Sequence, residues 1–400
     1  MRKTKLTIIA LAFVLVLTAF LAGCGASSDD KSNTGSESKG SEVVKIGFLG
    51  AKTGGHAIYG LGTLKGMKMA VDEVNAAGGV LGKTLQIVED DHGSKLEEIP
   101  NVVSKYIERD KVVAIIGDPT TGGTKTAAAI ANDSKVVLLS AGSTGPGVVE
   151  IGEYIFRNTL LDTVGAPATM DYAINEMGWK NVAVITSINN DYSVGLTGIF
   201  KEGIAKHGGT VVIEENIQDG DTDFSAIVTK IKGANPDVIV FSGYYTEGGL
   251  IMKEVRRQGM EDVVMVGGDG LQGEDFYKLG EEAVIGSISY AGFSPVDPTP
   301  TTAAFIEQFK TKNNGEEPDL FSAQGYDAVM LIVEAMKKAN STDPVEFHKT
   351  LAQIKNFDGV SGVTTFQDNR EPKKSPVYLL SIQDNNGQLG FDLLRKVAVE

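Results

Sequence analysis

"VVKIGFLGAKTGGHAIYG", residues 43–60, decides how the rest of the chain is read. It opens as an apolar, β-branched run and passes into a glycine-rich loop. A helical pattern follows, in which Leu64, Met67, Val71 and Val74 recur at three-to-four spacing. Strand, glycine loop and helix is the layout of nucleotide-binding loops, yet neither nucleotide fingerprint fits. A P-loop needs Gly-Lys-Ser/Thr, and here Lys52 and Thr53 follow Ala51. Gly60, Gly62 and Gly66 are spaced one residue too long for the dinucleotide motif. Two readings stay open: a surface loop whose glycines only turn the chain, or a loop that faces some other ligand.

Outward from this stretch the same unit repeats. "LQIVEDD", "KVVAIIGD", "KVVLLSAG", "NVAVITS", "TVVIEENI", "PDVIVFSG" and "DVVMVGGD" read as strands, with amphipathic helical patterns between them. Such alternation implies βαβ units and parallel sheets with helices on both faces. The rhythm pauses at "GEYIFRNTLLDTVG" (152–165) and restarts at "NVAVITS". The proline-rich stretch 291–300 reads as a crossing. Two helical patterns follow, "TTAAFIEQFKTKN" and "LFSAQGYDAVMLIVEAMKKAN". "GVTTFQDN" and "SPVYLLSIQD" then read as strands joined by "NREPKK". The expected fold is α/β, with two Rossmann-like parallel-sheet lobes joined by a multi-crossover hinge. Lobe 1 is expected from 43–160 and 292–374, lobe 2 from 161–291 and 375–400. Loops at the carboxyl ends of such strands form a binding crevice, and two facing lobes can point both sets into one cleft.

The N-terminus speaks to compartment. Arg2, Lys3 and Lys5 precede "LTIIALAFVLVLTAFLAG", a run long enough to span a bilayer. It ends in small residues before Cys24, as secretory signals do. "LAGC", 21–24, resembles the lipobox of bacterial lipoproteins, which implies a signal peptide over 1–23 and a lipid-modified Cys24. Residues 24–42 are polar and small and read as a flexible tether. Cys24 is the one cysteine, so the body is expected to fold without disulfides. A net charge of −15 argues against nucleic acid but not against a small ligand held by local fields. His56, His92, His207 and His348 are scattered and read as solvated, with no metal spacing. No G-x-S-x-G elbow occurs. Neither metal, cofactor nor enzymatic activity is expected.

Four sets of loops after strand ends suit a small polar ligand. "GDPTTGGTKTAAAIAND" sets Thr120 and Thr121 at a helix N-terminus, where an anion can bind and where threonine also serves as an ordinary cap. "LLSAGSTGPGV" crowds Ser140, Ser143 and Thr144 into a glycine-rich turn. "ITSINNDYSVGL" brings Tyr192 to a helix start. "FSGYYTEGG" and "MVGGDGLQGEDF" supply Tyr244, Tyr245, Glu247 and Asp269; the commoner fate of a glycine-flanked aspartate is an exposed turn.

Taken in order, "AVDEVNAAGGVLG" with "VEDD", "IIGDPTTGGT", "LLSAGSTGP" and "NDYSVGL" resemble the branched-chain amino-acid-binding proteins of ABC transporters across almost the whole mature chain. The resemblance implies an extracytoplasmic, lipid-anchored, monomeric solute-binding protein that delivers an amino acid to an ABC permease. It implies that Thr121 meets the ligand α-carboxylate, and that Gly142 and Thr144 meet both carboxylate and ammonium. Tyr59 would face the variable part of the ligand, Tyr192 and Tyr244 would line the second lobe, and Asp269 would pair with the ammonium. The chain departs from the pattern in carrying aspartate where those relatives carry glutamate, and in lacking a small disulfide near the first loops. Other solutes of the same scaffold (amides, urea, aromatic acids) and a sensor role therefore stay open.

Overall fold

The structure is a computed structural model and describes residues 42–399. Cys24, the signal segment and nearly all of the tether lie outside the described residues. The opening run forms β1 (Val43–Leu49), and the β-branched runs after it form β2 (Thr84–Glu89), β3 (Ala114–Gly117) and β4 (Val137–Ser140). The segment where the rhythm pauses holds one more strand, β5 (Ile155–Arg157). Together they make a 5-stranded sheet in the order β2-β1-β3-β4-β5, parallel throughout. Helices α1 (Ala57–Ala76), α2 (Ile99–Lys105) and α3 (Thr121–Asp133) connect the first four strands. Every residue of β3 and β4 is buried, as a parallel sheet covered on both faces requires.

The second sheet repeats this winding. After α4 (Asp162–Asp171) come β6 (Asn181–Ser187), α5 (Asp191–Lys206), β7 (Thr210–Ile217), α6 (Ser225–Ala234) and β8 (Val238–Phe241). Helix α7 (Tyr245–Arg257), β9 (Val264–Gly267), α8 (Glu274–Gly280) and β10 (Ile288–Ala291) complete the unit. The chain then returns to the first sheet with α9 (Pro300–Lys312), α10 (Leu320–Ala339) and α11 (Pro344–Leu351). A 3-stranded sheet follows, made of β11 (Phe357–Gly359), β12 (Gly362–Phe366) and β13 (Pro372–Ser375). Strands β14 (Val377–Asp384) and β15 (Leu389–Val397) end the chain on the second sheet, whose order is β15-β14-β10-β9-β8-β6-β7. Both terminal strands are antiparallel additions. "NREPKK" is therefore not a plain connection, because its end pairs with β12 as part of β13. Strand β15, to which no sequence pattern pointed, is a half-exposed edge.

The chain passes between the sheets after β5, after β10 and after β13. Two buried polar groups tie these passages together. Arg157 Nε donates to Glu371 Oε2 at 2.7 Å, and its Nη1 donates to the carbonyls of Ser143 and Gly145. Lys374 Nζ donates to Ser361 Oγ at 2.8 Å and Thr364 Oγ1 at 3.2 Å. Asp327, on α10, accepts the N–H groups of Val360 and Ser361 at 2.8 and 2.9 Å.

Candidate ligand-binding site

In both sheets the winding reverses beside the first strand of the unit, between β1 and β3 and again between β6 and β8. A crevice opens outside the carboxyl ends of the strands at such a point. Seven of the residues named from the sequence stand there, whereas Thr120, Ser140, Ser143, Tyr245 and Glu247 are not part of the wall. Tyr59, Thr121, Gly142, Thr144, Tyr192, Tyr244 and Asp269 line one small cavity of about 10 Å3, together with Pro119, Gly270 and Phe321.

The first sheet supplies the hydroxyl wall. Thr120 and Thr121 divide the two roles that the sequence left open. Thr120 caps α3: its Oγ1 accepts the Gly123 N–H at 3.1 Å and donates to Asp118 Oδ1 at 2.8 Å. Thr121, relieved of capping, turns into the cavity and accepts the Gly145 N–H at 3.2 Å. Gly142 is required by space, since a Cβ there would lie 2.5 Å from the Pro119 carbonyl oxygen. Tyr59 sits in the first turn of α1, not in the glycine loop, and is fully buried.

The second sheet supplies the acid. Asp269 is buried on a short turn after β9 and not exposed as a turn aspartate usually is. Its Oδ1 accepts the Tyr192 hydroxyl at 3.0 Å and the Thr144 hydroxyl at 3.4 Å. The Tyr192 oxygen in turn accepts the Gly270 N–H at 3.1 Å, and the Tyr59 hydroxyl donates to the Gly270 carbonyl at 2.7 Å. Gly268 allows this closeness, since a Cβ there would meet the Tyr192 oxygen at 2.3 Å. The apolar wall is a ring stack. Tyr192 and Tyr244 lie parallel at 5.4 Å, and Tyr59 meets Tyr244 at 5.4 Å and Phe321 at 4.6 Å.

Sequence reasoning missed the layer behind this wall. Asp162, the first residue of α4, is fully buried. Its Oδ1 accepts the Tyr290 hydroxyl at 2.7 Å, and its N–H donates to the Thr144 carbonyl at 3.3 Å. Its Oδ2 has no hydrogen-bond partner among the described residues. Burial raises the Asp162 carboxyl to about 6, against the opposing pull of the Tyr290 and Thr144 hydroxyls and Arg157. Burial, followed by the charge of Asp162, holds Asp269 well above the usual carboxylate range. The only hint of Asp162 in the sequence was a carboxylate inside the apolar "TLLDTV". Phe321 carries no signal in the sequence beyond its place in the helical pattern of α10.

The histidines do not form a solvated set. His92 and His348 are buried, and His56 packs edge-on against Tyr244 at 4.8 Å. His92 Nε2 lies 2.7 Å from Asp118 Oδ2, within ion-pair range but out of line for a hydrogen bond. His348 is held by its own helix, Nδ1 lying 3.0 Å from the Pro344 carbonyl. Among the described residues no group of three or more acidic, histidine or cysteine side chains could hold a metal.

Residues 43–388, nearly all of the described chain, match the periplasmic binding protein family. The chain belongs to that family. Among its relatives is the Leu/Ile/Val-binding protein homolog 3 of Brucella melitensis, 30% identical, with 87% of this chain and 94% of that one aligned. Two solved periplasmic binding proteins overlay it closely. The leucine-binding protein LivK of Thermotoga maritima is 30% identical with a TM-score of 0.82, covering 89% of this chain and 99% of that one. LivJ of Streptococcus pneumoniae, a branched-chain amino acid transporter substrate-binding protein in complex with isoleucine, is 34% identical with a TM-score of 0.82, covering 90% and 99%. Both neighbours share the two-sheet fold of type I periplasmic binding proteins.

Proposed function

We propose that this periplasmic binding protein captures an α-amino acid with an aliphatic side chain and delivers it to an ABC permease. The observation that carries the reading is one buried acid, Asp269, set across a small cavity from the Thr121 hydroxyl at the start of α3. An α-amino acid needs opposite charges recognised a few ångströms apart, and an acid facing a helix N-terminus supplies that. Thr121, Gly142 and Thr144 take the carboxylate side and Asp269 the ammonium. Tyr59, Tyr192, Tyr244 and Phe321 wall the side chain, at about 0.8 kcal/mol per buried methylene. The binders of leucine and isoleucine among its relatives support this choice. The role is binding without catalysis.

We take the lobes as 43–160 with 292–374 and 161–291 with 375–400, closing as a monomer around the ligand. Cys24 carries a lipid that holds the body outside the bacterial cell membrane through the tether. Cys24→Ala is expected to give protein without lipid, shed or unprocessed. Wild-type protein cut elsewhere and free of lipid would remove the anchor. The ligand is tested by calorimetry of leucine, isoleucine, valine, a short amide and benzoate. Heat from the aliphatic amino acids and none from benzoate is expected. Tight benzoate binding with no amino-acid heat would replace this reading with an aromatic-acid binder.

A further inference from the structure

We infer that Asp162 and Asp269 share one proton when the cavity holds no ammonium group, and that an ammonium group displaces this proton on binding, so that Asp162 couples affinity to pH. This rests on the amino-acid reading above and adds to it a residue that does not line the cavity.

The geometry begins with an imbalance of donors. Asp162 offers two buried oxygens and receives the Tyr290 hydroxyl on one of them, while the other has no partner among the described residues. The Thr144 hydroxyl has a single proton to give, and Asp269 takes it. The Asp162 N–H is already spent on the Thr144 carbonyl. Leaving a bare carboxylate oxygen buried without a donor is costly, and a proton removes that cost.

The charges near the pair do not supply a substitute. From β5, the Arg157 charge is felt by Asp162, but its guanidinium is engaged by Glu371 and by the Ser143 and Gly145 carbonyls. From β10, α5 and the loop after β8 come Tyr290, Tyr192 and Tyr244, all held neutral because burial raises them well above their ordinary range. Thr144 joins the two, its carbonyl to the Asp162 N–H and its hydroxyl to Asp269, and two carboxylates so linked in one dry region cannot both ionise readily, so the pair holds one proton. Asp162 at about 6 and Asp269 raised in the same direction fit that arrangement.

An ammonium group changes the balance. Its positive charge beside Asp269 favours both carboxylates in their ionised form. The O–H bond of the shared proton breaks, the proton passes to solvent, and the ammonium N–H groups donate to Asp269, the member of the pair that lines the cavity. The sign follows from linkage: the unliganded pair binds the proton more tightly than the liganded pair, so affinity rises with pH. The rise runs from the ordinary carboxylate range up through about 6 and beyond, at up to roughly tenfold per pH unit for one full proton. Asp162 acts here through Asp269 and Thr144 and is a positioning residue.

The test is calorimetry of isoleucine binding from pH 5 to 8, in pairs of buffers with different ionisation heats. The zwitterion does not titrate in this range, so protons released come from the protein. The wild type is expected to release up to one proton and to bind more tightly as pH rises. Asp162→Asn keeps an acceptor for Tyr290 and removes the neighbouring charge that adds to burial in raising Asp269, so proton release is expected to fall below the wild type's and the profile to flatten. A wild type that releases no proton, with affinity flat from pH 5 to 8, overturns the inference while the amino-acid reading stands. So does an Asp162→Asn protein that releases as many protons as the wild type. If no amino acid binds at any pH, both fall together. The wild-type buffer comparison decides the matter even if the variant fails to fold.

Discussion

Asp269 and Thr121 face the same small cavity, yet their losses should differ in size. Asp269 is buried with two hydroxyl donors and a second carboxylate behind it. Truncating it leaves a ligand ammonium unpaired in a closed cavity, so Asp269→Ala is expected to weaken amino-acid binding by roughly 2–5 kcal/mol. Thr121→Ala removes one hydroxyl and keeps the backbone N–H groups of the α3 start, so it should cost about 1–3 kcal/mol. Calorimetry on both variants checks the order, and equal losses would deny Asp269 the ammonium. At this scale much of the cavity wall was legible. Strand ends followed by Tyr, Thr or Asp in glycine-rich loops point at the crevice by topology alone. Asp162 was not legible, because its meaning depends on Asp269 and Tyr290, which the fold alone brings beside it. Nor was the division of labour between Thr120 and Thr121, which turns on one residue of helix register.

At the scale of elements, the glycines after the first loop serve close packing of backbones. Gly60 packs against the Ala51 carbonyl, and Gly66 faces α10, where a Cβ would lie 1.8 Å from the Ser322 carbonyl oxygen. Gly325 answers from α10, with a Cβ that would meet the Thr63 carbonyl oxygen at 2.3 Å. Gly66 and Gly325 let α1 and α10 touch backbone to backbone, and Gly60 lets α1 meet the loop after β1. Gly66→Ala should therefore destabilise by about 1–3 kcal/mol, as overpacking does, despite alanine's better helix propensity. Urea unfolding with an unchanged slope checks it, and a stabilised variant would contradict the packing. The passage between sheets makes a second case. Burial lowers Lys374 to about 8, Asp327 pulling the other way, and burial raises Asp327. Lys374→Met alone leaves Asp327 without its cation and should cost about 3–5 kcal/mol, whereas Asp327→Asn with Lys374→Met should be far closer to neutral. Strands rich in Val and Ile were plain in the sequence. Strands β5, β13 and β15 were not: β5 is only three residues long, β13 is rich in lysine and proline, and β15 is a half-exposed edge. Their pairing is decided by the neighbouring strand more than by their own composition.

At the scale of the molecule, the two sheets meet across the cavity through few direct bonds. Thr144 reaches Asp269, Tyr59 reaches the Gly270 carbonyl, and at the rim Lys125 Nζ lies 3.5 Å from Asp191 Oδ2. Each joins a residue carried by the first sheet to one carried by the second. Bonds so few hold a closed cleft weakly, so a ligand that touches both walls should add most of the closing energy, which is the logic of hinge closure. Two observables follow for a ligand that calorimetry shows to bind. Scattering should report a smaller radius of gyration with ligand than without. The melting temperature should rise, because binding to the native state alone contributes about 2.7 kcal/mol at a ligand concentration of 100 Kd; for a body of this size that is a shift of a few degrees. Tyr59→Phe separates closure from binding. It keeps the ring stack with Tyr244 and Phe321 and deletes the hydroxyl that spans the cleft. The variant should hold a larger radius without ligand than the wild type and regain the compact form when ligand is added. Scattering curves for the wild type that superimpose with and without the bound ligand would sink the closing cleft, and would leave a rigid cavity filled without motion of the lobes.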